Sequence, residues 1–463
     1  MADTTRLMAA ILAQFPDNAS GLISPQMLRD FVVSAMPTGR GGTKIVAAAN
    51  ASDLWKAQAD VVCTGANDDA QIRAAIDALP ADAGGSGSGG GTVILSDGKF
   101  VMGSSGLVLN ACTRKGGYRI VGQGGLTNPY PQNAGMCGTL IYGPDGVPVI
   151  TIGSGSLYSA DMIDLENFGV MSAGTGAGSI GVLAQGVRNI TMRRVGVYQS
   201  RVGIRLTKAE WMHLSDVVTQ NVLQYGLDVI VDSYADGHFH AESCEFQMPS
   251  TILAGGSAVH LIGGSVQPNP WYEALFSRCQ FYISPGAAAA GCRCFHQEGR
   301  FGSIHQATRN LTFLECQFED EGSSITNIGV DLETCNHINF IGPSFASGGA
   351  MKFGIRTAND PGCYVMLNSY FNTAAPAGGY HIYNNVGDFY LLGYKWDNLT
   401  NHFLTPATVH HLLATQLKAT GGAPTDGIFG DAIFPMDGMM VVNTNEHRLY
   451  VRDGGVWKYA GLT

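Results

Sequence analysis

Apolar and polar positions alternate through most of this chain in short bursts, and one eight-residue phrase returns ten times. It reads IDLENFGV at 163–170, ITMRRVGV at 190–197, MHLSDVVT at 212–219, FHAESCEF at 239–246 and ALFSRCQF at 274–281. LTFLECQF at 311–318 and INFIGPSF at 338–345 follow, and YVMLNSYF (364–371), FYLLGYKW (389–396) and HHLLATQL (410–417) are weaker copies. Start-to-start spacing runs from 21 to 37 residues. A repeat of that length describes stacked units, none of which can bury its apolar side alone. Positions one, three, six and eight of the phrase are mostly apolar. Alternation at one and three predicts a strand with one face inward. The break between three and six predicts a bend, after which a second short strand resumes the alternation. A third strand is expected before each phrase, written Gly-apolar-polar-apolar, as in GIRL (203–206), GLDV (226–229), GCRC (291–294), GVDL (329–332) and GIRT (354–357). Three short strands per turn predict an all-β parallel β-helix, a β-solenoid, with coils stacked at about 4.8 Å.

Stacking turns equivalent positions into columns. The eighth position reads Val170, Val197, Thr219, Phe246, Phe281, Phe318, Phe345, Phe371, Trp396, Leu417, an expected interior ladder. The sixth contains Cys244, Cys279 and Cys316, which read as small apolar fillers, and Cys292 and Cys294 also fall on inward positions. At the fifth position, Arg194 is expected to stack on Asp216 and Arg278 on Glu315. The outward column Arg205, Asp228, His260, Arg293, Asp331, Arg356, His381 reads as a ladder of surface ion pairs, each worth about 0–1 kcal/mol.

The ends differ in texture. Residues 1–36 predict two helices, the second starting at Ser24-Pro25, an N-cap followed by proline. Residues 67–79 predict a helix with Ile72, Ala75, Ile76 and Leu79 on one face. The strands of 92–102 and 106–110 follow, and coiling is expected to begin at YRIVGQGG. From about residue 424 the chain predicts two or three antiparallel strands, a cap for an otherwise open solenoid end. The domain reading is therefore 1–43 helical segment and linker, 44–150 entry region with a capping helix, 151–420 parallel β-helix, and 421–463 β cap.

Composition narrows the function. A formal net charge of −10, with no basic run, argues against a nucleic-acid partner. Ten cysteines, often inward, fit a reducing cytoplasm rather than a disulfide framework. No apolar stretch reaches the ~18 residues of a membrane span. Asp3 and the short run 7–12 do not make a signal peptide.

Three segments carry a resemblance. TGANDDAQIRAAIDALP, GGGTVILSDGKFVM and the coils resemble the start of pectate-lyase-like right-handed β-helix proteins. FPDNASGLISPQMLRDFVVSAM resembles N-terminal segments of bacteriophage virion proteins, and PMDGMMVVNTNEHRLYVRDGGVWKYAGL resembles C-terminal modules of phage tail proteins. Together they look like a phage tailspike. The resemblance implies a homotrimer, docking of residues 1–36 on virion tail or neck proteins, and binding or cleavage of a host surface polysaccharide. It also implies synthesis in the host cytoplasm and release by lysis, with no signal peptide.

Hydrolysis of a glycan calls for two carboxylates, one protonated and one ionised, about 5–10 Å apart. Glu242 and Glu245 flank the bend of the fourth phrase and are the chosen acid/base pair, with Asp216 as reserve. Ser215 and Ser277 are expected above and below Glu242, and His213 and His240 to stack beside it. Insertions around 248–256 and 267–271 are expected to build a groove wall, where Trp271 and Tyr272 would stack on sugar rings. With His213 and His240 these form the substrate-binding set. Glu333, beside Asp331, is a further carboxylate. No metal ligand or cofactor is expected. The plain alternative is a solvated acidic patch. The functional alternatives are a fibre that binds without turnover, and a polysaccharide lyase with Ca²⁺ on clustered carboxylates.

Overall fold

Each phrase folds as two short strands around a sharp corner, and the chain winds these into a parallel β-solenoid. The computed structural model describes residues 42–80, 90–109, 117–124, 138–231, 238–263, 273–285, 289–298, 310–322, 324, 326–333, 337–347, 351–357, 363–372, 380–384, 388–396, 403–404, 409–417, 440–443, 448–453 and 456–461. Every described strand pairing is parallel except those joining Met440–Asn443, Arg448–Asp453 and Val456–Gly461. The expected helices before residue 37 lie outside the described residues.

Three parallel stacks run along the axis. The first half of the phrase forms one, through strands such as His238–Glu242, Glu273–Ser277, Leu311–Leu314 and Ile338–Ile341. The second half forms another, through Glu245–Met248, Gln280–Ile283, Gln317–Asp320 and Ser344–Ser347. The Gly-apolar strands form the third, through Ser257–Gly263, Arg293–Glu298, Ile328–Leu332 and Phe353–Thr357.

The interior ladder is present. Phe246, Phe281, Phe318 and Phe345 are fully buried and register one above the next. Their ring centroids stand 5.9, 4.8 and 4.9 Å apart, and interplanar angles of 10–18° mean near-parallel stacking. A second column of third-position residues, Phe276, Phe313 and Phe340, stacks beside it. Edge-to-face contacts such as Phe281–Phe313 lock the two columns together. Cys244, Cys279 and Cys316 are buried free thiols whose Sγ atoms donate to backbone carbonyls. Burial holds Cys244 and Cys316 well above the usual thiol range, so they stay protonated and unreactive.

The corner has one geometry throughout. The fifth-position residues Asn167, Arg194, Asp216, Ser243, Arg278, Glu315 and Gly342 all have φ between 49° and 65°, the left-handed region. That conformation is strained for residues with a Cβ. Cooperative hydrogen bonding holds it in place. The N–H groups of Asp216, Ser243, Arg278 and Glu315 donate to the fourth-position carbonyls of Glu242, Ser277, Leu314 and Ile341 one coil on, at 2.7–3.0 Å.

One expectation needs correction. Coiling starts earlier than YRIVGQGG: Thr43–Ala47 pairs in parallel with Gly91–Leu95, and that strand with Tyr118–Val121. Their sequences drift from the phrase, but Lys44, Val93, Ile120 and Leu165 share one register column. The helix is Asp69–Asp77, inside the expected span, with Ile72, Ala75 and Ile76 buried. It packs on Thr43–Ala47 and adds its apolar face to the continuous core at the N-terminal end. Asp68, fully buried before it, accepts hydrogen bonds from the N–H groups of Gly65 and Val101. A shorter helix, Asp53–Gln58, capped by Ser52, was not expected.

Candidate functional site

Residues that alternate with the core on the first stack face outward, and a left-handed residue preceding several of the phrases forms a lip beside them. Met162, Asn189 and Trp211 occupy that lip at φ near 55°. Between lip and strands lie two depressions of about 390 Å³ each. One is lined by Tyr118, Arg119, Met162 and Asp164, the other by Trp211, His213, His238, His240 and Glu273. Asn189 and Thr191 wall both, so one depression runs into the other along the solenoid axis. Seven coils contribute, a length of roughly 29 Å at about 4.8 Å per coil.

His213 and His240 register opposite each other and stack at 5.0 Å, as expected from the repeat. Burial lowers the pKa of His213, assisted by His240 and Arg193, while the Glu242 charge works the other way. Trp211 is 53% exposed and packs at 4.4 Å on His238, whose Nδ1 is 2.9 Å from a Glu273 oxygen. Trp211, His238 and Glu273 were not selected from sequence. Trp211 precedes its phrase, where only the repeated left-handed turn reveals an outward position. Trp271 and Tyr272 lie outside the described residues.

Glu242 continues the outward row His238, His240, Glu242 on one strand. Ser215 and Ser277 register below and above it, as expected. Its partner differs from expectation. Arg278 bonds to Glu242, not Glu315, and Arg194 bonds to Glu166 at 2.5 Å, not Asp216. The physical reason is the corner: a left-handed fifth residue places its side chain beside the fourth residue of the preceding coil. Glu242 therefore has a cation beside it. Glu245 follows the corner on the adjoining strand, between Val218 and Gln280, and burial raises its pKa. One carboxylate is thus held by a guanidinium and the next is biased toward its protonated form. Asp216 sits on the corner below, with Ser215 Oγ donating to it at 3.3 Å.

The outward column expected to be a surface ladder keeps its Arg205–Asp228, Arg293–Asp331 and Arg356–Asp331 ion pairs, but it is largely buried and shifted in register. His260 registers with His296, not Arg293, and Arg356 with Tyr383, not His381. Asp228, His260, His296 and Asp331 are buried. Arg205 Nε donates to Asp228 at 2.7 Å, and Asp228 meets His260 Nδ1 at 2.9 Å. His260 Nε2 meets Glu298 at 2.9 Å, and His296 Nε2 meets Glu333 at 3.2 Å. Arg293 and Arg356 both bond Asp331, at 2.5 and 2.6 Å. Tyr225 stacks on His260 at 4.3 Å. Burial disfavours the charged ring of His260, yet its hydrogen bonds to Asp228 and Glu298 raise the pKa overall. Burial dominates at His296, and its pKa is lowered. His296 and Glu298 carried no signal in the sequence because RCFHQE departs from strict alternation.

No protein-family model matches the chain, and comparison with curated proteins finds no match. The chain is similar at low identity to several solved structures, three of which follow. The surface protein and adhesin PfbA of Streptococcus pneumoniae is 10% identical with a TM-score of 0.40, over 73% of this chain and 96% of that one. Tailspike protein 3 of bacteriophage CBA120 is 15% identical with a TM-score of 0.31, over 80% of this chain. The present chain spans 64% of that tailspike's length. DFA-IIIase from Arthrobacter chlorophenolicus A6, without its lid, is 10% identical with a TM-score of 0.41, over 81% and 94%. At these identities, function has to be read from the chain's own residues.

Proposed function

We propose that this chain is a phage tailspike that binds a host surface polysaccharide along its solenoid and cleaves it as an endo-glycosidase. The observation that carries this reading is the groove from Gly91 to Leu275, which follows the axis and presents Trp211 and stacked imidazoles. Its length suits an extended polymer better than a compact metabolite. An exposed aromatic face suits the apolar face of a sugar ring, and the flanking polar groups suit hydroxyls.

Glu245 acts as the acid, giving its proton to the glycosidic oxygen as the C–O bond breaks. Glu242, bonded to Arg278, serves the anomeric carbon from the other side, directly or by taking a proton from water. Asp216 is the reserve carboxylate. In the assembled virion the chain works as a homotrimer, with residues 1–36 docked on tail or neck proteins and 421–463 closing the far end.

The test incubates purified full-length chain with the host's surface polysaccharide and separates the products by size. Shortened oligosaccharides are expected. Glu242→Gln and Glu245→Gln each lower turnover at least a hundredfold while binding persists. Trp211→Ala weakens binding about tenfold, equivalent to ~1.4 kcal/mol. Products with an unsaturated sugar end would replace hydrolysis by elimination. Binding without products selects the second reading, a receptor-recognition fibre without turnover, which draws on the Arg278 contact as a purely structural clamp. Absence of both binding and products overturns the proposal.

A further inference from the structure

The buried constellation on the third stack has the makings of a metal centre, independent of the groove. We propose that His260 Nε2, His296 Nε2 and the Glu298 carboxylate bind a divalent transition cation of the Zn²⁺ class that clamps successive coils. The Glu333 carboxylate, 3.2 Å from His296 Nε2, is the nearest further donor.

The donor set comes first. Two imidazoles with carboxylates match Zn²⁺ and its neighbours, whereas Ca²⁺ and Mg²⁺ favour all-oxygen shells. One ligand atom from each of His260, His296 and Glu298 lies within 4.8 Å of the others. Donors about 2.0–2.1 Å from a tetrahedral ion stand about 3.3 Å apart. The observed 2.9 Å between His260 and Glu298 needs only a small outward adjustment.

The surroundings make this more than a chance meeting of side chains. His260 uses Nδ1 on Asp228, which leaves Nε2 aimed at Glu298. Metal-binding histidines are oriented in this way by a carboxylate on the other ring nitrogen. Asp228 is itself gripped by Arg205, and Tyr225 covers the His260 ring. The imidazoles are set by strand register one coil apart, with ring centroids at 5.3 Å, so the backbone fixes their separation. Asp331 is committed to Arg293 and Arg356 and stands 3.8 Å from His296 Nε2, so Glu298 and Glu333 are the nearer carboxylates to the imidazoles. Glu298 is 39% exposed while both histidine side chains are under 10% exposed, which gives an ion a path to a dry nitrogen pair.

A bound ion would tie together the strands Ser257–Gly263 and Arg293–Glu298, and through Glu333 the coil beyond. These coils are joined in sequence by some of the longest spacings in the repeat. A crosslink there offsets the entropy of long connections without a disulfide.

The full-length chain is stripped with EDTA, then titrated with Zn²⁺ by calorimetry while melting is followed by circular dichroism. One ion per chain and a higher melting temperature are expected, with no such rise from Ca²⁺ or Mg²⁺. Glu298→Gln and His296→Ala each weaken Zn²⁺ uptake at least tenfold, and His337→Ala, just before the first-stack strand Ile338–Ile341, does not. Metal-free spectra establish that each variant is folded. Should His296→Ala fail to fold, Glu298→Gln, a near-isosteric and partly exposed change, decides alone. No uptake by the parent chain, or equal uptake by Glu298→Gln, overturns the proposal.

Discussion

Single residues in this solenoid have consequences set by which way they face. Asp320 faces inward at the end of Gln317–Asp320 and is fully buried. Its Oδ1 accepts from Gly322 N–H and Asn327 Nδ2, while Oδ2 has no partner. Burial outweighs those bonds and pushes the pKa up to about 6. Because the folded value lies above the unfolded one, the stabilisation from holding this proton is full below about pH 4 and is lost as pH rises through 6. Asp320→Asn should therefore gain up to about 3 kcal/mol over the parent at pH 8 and almost nothing at pH 3.5. Urea midpoints at the two pH values measure this, and parallel shifts at both would contradict it. Thr219 makes a simpler case. It stands in the aromatic column, fully buried, and its Oγ1 has no hydrogen-bond partner. Thr219→Val keeps the shape, removes an unpaired hydroxyl and should stabilise by about 1 kcal/mol in thermal melts. The inward address of Thr219 was legible from its place in the phrase. The partner of Glu242 was not, because a left-handed corner redirects Arg278 by one position along the strand.

At the scale of the element, the corner is what the repeat encodes. The phrase has no fixed glycine at position five, so alternation alone located the bend without revealing its dihedral angles. The left-handed residues Asp216, Ser243, Arg278 and Glu315 are tolerated because each supplies an N–H to the next coil, and that ladder carries the strain cooperatively. Ser243 tests this account. Its φ is 53° and its N–H bonds Ser277 O at 2.9 Å. Ser243→Val should cost about 1–2 kcal/mol, since a β-branched residue resists this region. Ser243→Gly should stay near the parent, because lost strain is offset by greater freedom in the unfolded chain. Chemical denaturation of both variants distinguishes a true left-handed corner from a flexible one, for which they would behave alike. The same reasoning explains the misplaced histidine column. Cys292, Cys294 and Phe295 are all fully buried, so the inward pattern around Arg293–Glu298 fits two registers, and only hydrogen bonding to the neighbouring coils selects His296 opposite His260.

The whole molecule is a stack, and its size sets how a polymer would lie on it. Affinity for the cognate glycan should climb with oligosaccharide length until the ligand spans the groove, roughly 29 Å, and then level off. Calorimetry across a size series would show this, and an affinity independent of length would point to a single compact subsite. The sequence by itself determined the coil: which residues face inward, where each turn bends, and that phenylalanines eight positions into the phrase must pile up. Those facts are local, because strand alternation and the burial of apolar side chains act within one winding. Only the tertiary structure decided the lateral relations: Arg278 beside Glu242, His260 beneath His296, Trp211 on the lip of a groove, and the irregular first coils joining the stack. These contacts join residues in different windings, and side chains there answer to inter-coil hydrogen-bond register and corner dihedrals, neither of which a one-dimensional alternation specifies.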